Sequence, residues 1–63
     1  MSSAENTLLF ERAHEMQEFW TGTMMESLID KALTDNDLDQ LRHLVSRAEA
    51  DAAHEEMKAQ DLL

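Results

Sequence analysis

Apolar residues recur at steps of three and four along almost the whole chain, and only one stretch clearly interrupts them. Leu9, Ala13, Met16, Trp20, Met24, Leu28 and Ala32 form the first series, keeping one stripe on one face of a helix. Leu38, Leu41, Val45, Ala48, Ala52, Glu55, Ala59 and Leu62 form the second, occupying alternating heptad core positions. Between them stands Leu33-Thr34-Asp35-Asn36-Asp37-Leu38. A period near 3.6 cannot serve a strand, whose side chains alternate with a period of two. The absence of proline and the presence of one glycine point the same way. The expected fold is therefore all-α: one domain over 1–63, an antiparallel hairpin of helix one (about 3–33), a turn at 34–36 and helix two (about 36–61).

Local signals refine the ends. Ser2 followed by Glu5 has the capping-box spacing that satisfies the first free amides of a helix. Thr34 is expected to cap helix two by accepting from the amide of Asp37, while Asp35, Asp37 and Asp39 complement the helix dipole. These acids lack the glycine and the twelve-residue spacing of a calcium loop. Gly22, flanked by Thr21 and Thr23, weakens helix one. A continuous helix with one poor turn is the expectation there; a kink or short break is the alternative.

With 63 residues and no cysteine, the chain has little core and no covalent staple. One stripe on each of two helices leaves Phe19, Met25, Ile29, Leu33 and Leu44 uncovered, so dimerisation or a larger partner is expected to complete the fold. Glu55, a charge in the seam, calls for a cation, and Arg12 is the nearest one across the hairpin. In length, acidic turn and heptads the chain resembles the Rop type of helical hairpin, which implies a dimeric four-helix bundle. The RNA-binding face of that type has no counterpart, because Arg12, Lys31, Arg42, Arg47 and Lys58 are scattered among acids.

Charge is the strongest hint of function. Fourteen acidic residues against five basic ones give a formal net charge of −9, which repels nucleic acid and anionic lipid and favours basic protein surfaces. No apolar run is long enough to span a bilayer and no signal-peptide pattern opens the chain, so a cytoplasmic protein is expected. Glu11, Glu15, Glu18 and Glu26 recur at helical spacing away from the apolar stripe. Like charges one turn apart cost a helix a few tenths of a kcal/mol each, and carboxylates about 5–6 Å apart have a spacing comparable to successive phosphates on one strand. The alternative is a plain solvated face, since glutamate is common on surfaces.

Glu11-Arg12-Ala13-His14 has the Glu-x-x-His spacing and is similar to the di-iron motif of ferritin-like bundles; Asp51-Ala52-Ala53-His54 is a carboxylate variant. The resemblance implies inward-facing ligands, whereas His14 and His54 fall off the apolar stripes. No metal and no cofactor are therefore expected, with Glu11, His14, Asp51 and His54 the single set worth testing. Nothing supports an enzyme: the sequence has no phosphate-cradling glycine loop and no nucleophile with its base at readable spacing.

The expected function is a small, acidic, non-catalytic module that binds and inhibits or regulates a larger protein. Glu11, Glu15, Glu18 and Glu26 would meet its basic surface, and Phe19, Met25 and Ile29 would form an apolar docking patch. In size and charge the chain is similar to phage and plasmid proteins that mimic nucleic acid, some anti-CRISPR proteins among them. Two alternatives stand beside it: a dimeric regulator of Rop-like layout, and a secretion-type co-chaperone that shields an apolar face.

Overall fold

The computed structural model describes residues 3–61, with side chains over 4–58. It contains three helices: α1 (Ser3–Phe19), α2 (Met24–Asp35) and α3 (Leu38–Asp61), each packed against the other two. The expected two-helix hairpin is thus corrected to a compact three-helix domain. Helix one does not run to residue 33; it ends at Phe19, and α2 folds back as a separate element.

The cause lies in Thr21-Gly22-Thr23. Gly22 adopts φ of 82°, a left-handed conformation that costs a residue with a Cβ about 1–2 kcal/mol and glycine nothing. The threonine hydroxyls then bond carbonyls at the end of α1 and in the turn, where Glu18 and Trp20 also accept the amides of Thr21 and Thr23. Thr21 Oγ1 donates to the Gln17 and Glu18 carbonyls at 3.0 and 2.8 Å, and Thr23 Oγ1 donates to the Trp20 carbonyl at 2.6 Å. From the other side, the Glu26 carboxylate accepts from the Gly22 amide at 3.0 Å. A sequence that looks like a weak helical turn is in fact equipped to end one helix and start the next.

The second turn is tighter than expected. Asn36 is left-handed, with φ 55° and ψ 36°, and its amide donates to the Leu33 carbonyl while that of Asp37 donates to Ala32. These two bonds make the Schellman closure of α2. Asp37 then opens α3, its carboxylate accepting from the Gln40 amide at 3.2 Å. Thr34 lies inside α2, so the cap expected of it belongs to Asp37. Ser2, the first partner of the expected capping box, lies outside the described residues.

The core is built by Leu9 and Ala13 of α1, Ile29 and Ala32 of α2, and Leu41, Val45 and Ala48 of α3. Phe10, Met16, Trp20, Met25, Leu33, Leu38 and Leu44 pack around it half-buried. The break changes the phase of the first stripe. Had the helix continued, Met24 and Leu28 would face inward with Trp20; instead Met25, Ile29 and Leu33 do, one position later, while Ala32 of the original stripe stays buried. Ile29, expected to wait for a partner, is completely buried, because α1 supplies the cover that a two-helix layout lacked. Complete burial of side chains such as Ile29, Leu41 and Val45 contributes about 1.5–3 kcal/mol each.

Ala48 and Ala52 are buried, as a seam of small residues requires, and the Trp20 indole Nε1 donates to the Ala48 carbonyl at 3.3 Å. Arg12 reaches Glu49, the next residue along. Glu55 is exposed and forms no seam; the cation expected for it is taken by Glu49. From Ala53 to Lys58 every side chain is exposed, and these residues span all sides of the helix, so this part of α3 extends past its two neighbours. No helix among the described residues is long and apolar enough to cross a membrane.

Candidate functional site

The acidic face belongs to α1. Leu9 and Ala13 fix the rotation of that helix by entering the core, and at about 100° per residue Glu11, Glu15 and Glu18 fall within an arc of about 60° roughly opposite them. All three are exposed and take part in no ion pair among the described residues. Four of the five lysines and arginines are engaged elsewhere. Arg12 binds Glu49, and Lys31, Arg42 and Arg47 bridge to Asp35, Asp39 and Asp51 within their own helices. Cations that could neutralise the α1 face are thereby held by acids of α2 and α3.

Glu26 does not join this face. It sits half-buried on α2 and caps Gly22, so it serves the break. The expected row of four is three carboxylates on one helix and a fourth on another.

The expected apolar patch is also divided. Phe19 remains 45% exposed, with its ring 4.9 Å from Trp20 in an edge-on arrangement. Met25 packs half-buried on the core and Ile29 is inside it. The exposed apolar side chains of α2 are instead Met24 and Leu28, at 77% and 40%. Their sequence signal was ambiguous, since both sit on the stripe that a continuous helix would bury. Leu8 and Met57 are exposed as well.

Glu11, His14, Asp51 and His54 do not assemble. The His14 ring Nδ1 is 3.2 Å from Gln17 Oε1, and Asp51 bridges to Arg47 at 3.5 Å. Among the described residues no three His, Cys, Asp or Glu side chains gather where they could hold a metal ion.

Among the described residues the surface carries at least two recesses. One, of about 270 Å³, lies between α1 and α3 and is lined by Glu5, Asn6, Leu8, Leu9, Arg12 and Arg42. The other, of about 260 Å³, follows the α2–α3 hairpin and includes Leu28, Lys31, Ala32, Asp35, Gln40 and Leu44. Among the described residues no buried side-chain nitrogen or oxygen lacks a partner, so neither recess contains an unsatisfied buried group aimed at a ligand. No protein-family model matches the chain, and no curated protein or solved structure matches it either.

Proposed function

We propose that this chain is a small, acidic, non-catalytic binding module that docks the outer face of α1 on a basic surface of a larger protein and so inhibits or regulates it. The observation that carries this reading is the unpaired row Glu11, Glu15 and Glu18, set opposite the core while the nearby bases are occupied by other acids. Aligned like charges slightly weaken the helix that carries them, and a cationic partner would relieve that repulsion. A groove that holds a nucleic-acid strand is the partner surface whose chemistry fits best, with carboxylates standing in for phosphates. Phe19, exposed at the end of the same helix, would add apolar contact.

The test is affinity capture from the native host with the tagged chain and a Glu11→Gln, Glu15→Gln, Glu18→Gln variant, each at about 0.05 and 0.5 M NaCl. The reading expects a basic, nucleic-acid-binding protein to be captured by the unaltered chain at low salt and lost with either change. Capture that is indifferent to both salt and the three substitutions would overturn it.

A further inference from the structure

The groove between α1 and α3 repeats with the heptad. Two successive chain reversals make these helices parallel, and their facing positions advance together: Glu5 and Arg42 line one recess, and Arg12 binds Glu49. The second pair follows the first by one heptad on both helices. A heptad is two turns less about 20°, so positions one heptad apart keep to one line of a helix. The next step along both lines brings Phe19 level with Glu56. The first two rungs set an acid on one helix against a base on the other. The third sets an acid against an aromatic ring.

Glu56 stands one turn past Ala52, which is buried, on the part of α3 that extends beyond its neighbours. Helical side chains tilt toward the N-terminus, so its carboxylate overhangs the end of α1. Three features there favour a cation. Glu56 is exposed and takes part in no ion pair among the described residues. The last turn of α1 contains Glu18 and no base, which leaves the negative end of the helix dipole without a countercharge. Phe19 presents a partly exposed ring, and the face of such a ring attracts positive charge. The chain's own cations point elsewhere: Lys58 lies about 160° round α3 from Glu56, and Arg12 is held by Glu49.

We propose, on the reading that the docked partner is basic, that the open end of the α1–α3 groove seats one of its arginine side chains, the guanidinium bonded to Glu56 and laid over the Phe19 ring. Arginine suits this place better than lysine. A guanidinium is planar, weakly hydrated, able to pair with a carboxylate through two bonds and to stack on an aromatic face, whereas an ammonium is a strongly hydrated point charge. The projecting end of α3 thereby becomes part of the docking surface, extending the α1 face with a rung that discriminates between cations.

Fluorescence polarisation with labelled octa-arginine and octa-lysine, two peptides of equal charge, tests this at about 0.05 M NaCl. The unaltered chain should bind octa-arginine about threefold or more tighter than octa-lysine. Phe19→Leu and Glu56→Gln should each bring that ratio close to one. Glu55→Gln, an equal change of charge on the side of α3 that carries Leu44 and faces α2, should leave the ratio as it is. The Glu11→Gln, Glu15→Gln, Glu18→Gln variant should weaken both peptides by similar factors and preserve the preference. Circular dichroism should show unchanged helicity throughout, since Phe19, Glu55 and Glu56 are all exposed. Absence of binding to octa-arginine overturns the proposal, as does a ratio near one for the unaltered chain. A preference that survives Phe19→Leu and Glu56→Gln, or one that Glu55→Gln abolishes equally, overturns it too. Affinities indifferent to the triple variant, with the preference still dependent on Phe19 and Glu56, would instead count against the α1 face alone.

Discussion

Arg12 grips Glu49 with both arms of its fork, Nε to Oε2 at 2.9 Å and Nη2 to Oε1 at 2.6 Å, and so ties α1 to α3 across 37 positions of sequence. Each hydrogen bond holds the other group in its charged form: the guanidinium is pushed above its ordinary value and the Glu49 carboxyl is held below its own. Both side chains remain partly in water, at 43% and 35% exposure. Screening therefore limits the coupling to about 0.5–1 kcal/mol in a double-mutant cycle. Arg12→Lys should lose most of that coupling, because an ammonium cannot reproduce the paired geometry.

The same pair sets a pH response. A carboxylate whose folded value is depressed stabilises the fold fully above its unfolded value, here near 4.5, and loses that contribution as pH falls through the folded value. Thermal stability should therefore hold from neutrality to about pH 4.5 and decline below it. In Glu49→Gln the pair's share of that decline should be absent, as melting curves at a series of pH values would show.

Gly22→Ala should destabilise the domain by about 1–2 kcal/mol through backbone strain alone, since a Cβ there would meet nothing within 4 Å. A D-alanine at the same position, made by peptide synthesis, suits the positive φ and should equal or exceed glycine in stability. Denaturant titration of the two proteins separates conformational strain from crowding.

Asp37→Ala should cost about 1 kcal/mol by removing the acceptor for the first turn of α3, whereas Thr34→Ala should change little. Equal losses at the two positions, measured by urea unfolding, would contradict the turn described here.

Ile29→Ala should cost about 2–5 kcal/mol, as expected for a fully buried aliphatic side chain. Phe19→Ala, at a position left half in solvent, should cost clearly less. Chemical denaturation of the two variants would check the difference.

The helical class was legible in the period, and the turn between α2 and α3 in the polar stretch that interrupts it. Leu28, Ala32, Gln40 and Leu44 line one recess between α2 and α3. The break at Thr21-Gly22-Thr23 was legible only as the alternative to a continuous helix. Thr21, Gly22 and Thr23 cost a continuous helix only about 1 kcal/mol or slightly more, so propensity left the decision to tertiary packing, which favours burying Ile29 under α1. The apolar patch inherited that error, because a one-position change of phase exchanges Met24 and Leu28 for Met25 and Ile29. The α1 carboxylates survived it, since their position depends only on Leu9 and Ala13, upstream of the break. That Glu26 would serve Gly22 could be read only once the turn was known.

The bare stretch of α3 from Ala53 to Lys58 divides one continuous helix into two regimes of persistence. Its first half is locked by the core and should release its amide hydrogens only when the whole domain unfolds. The later turns, held by intrinsic propensity alone, should exchange on the far faster timescale of local fraying. Amide exchange along α3 should thus fall into two classes, with the step near Ala52, while the backbone on either side keeps the same helical geometry.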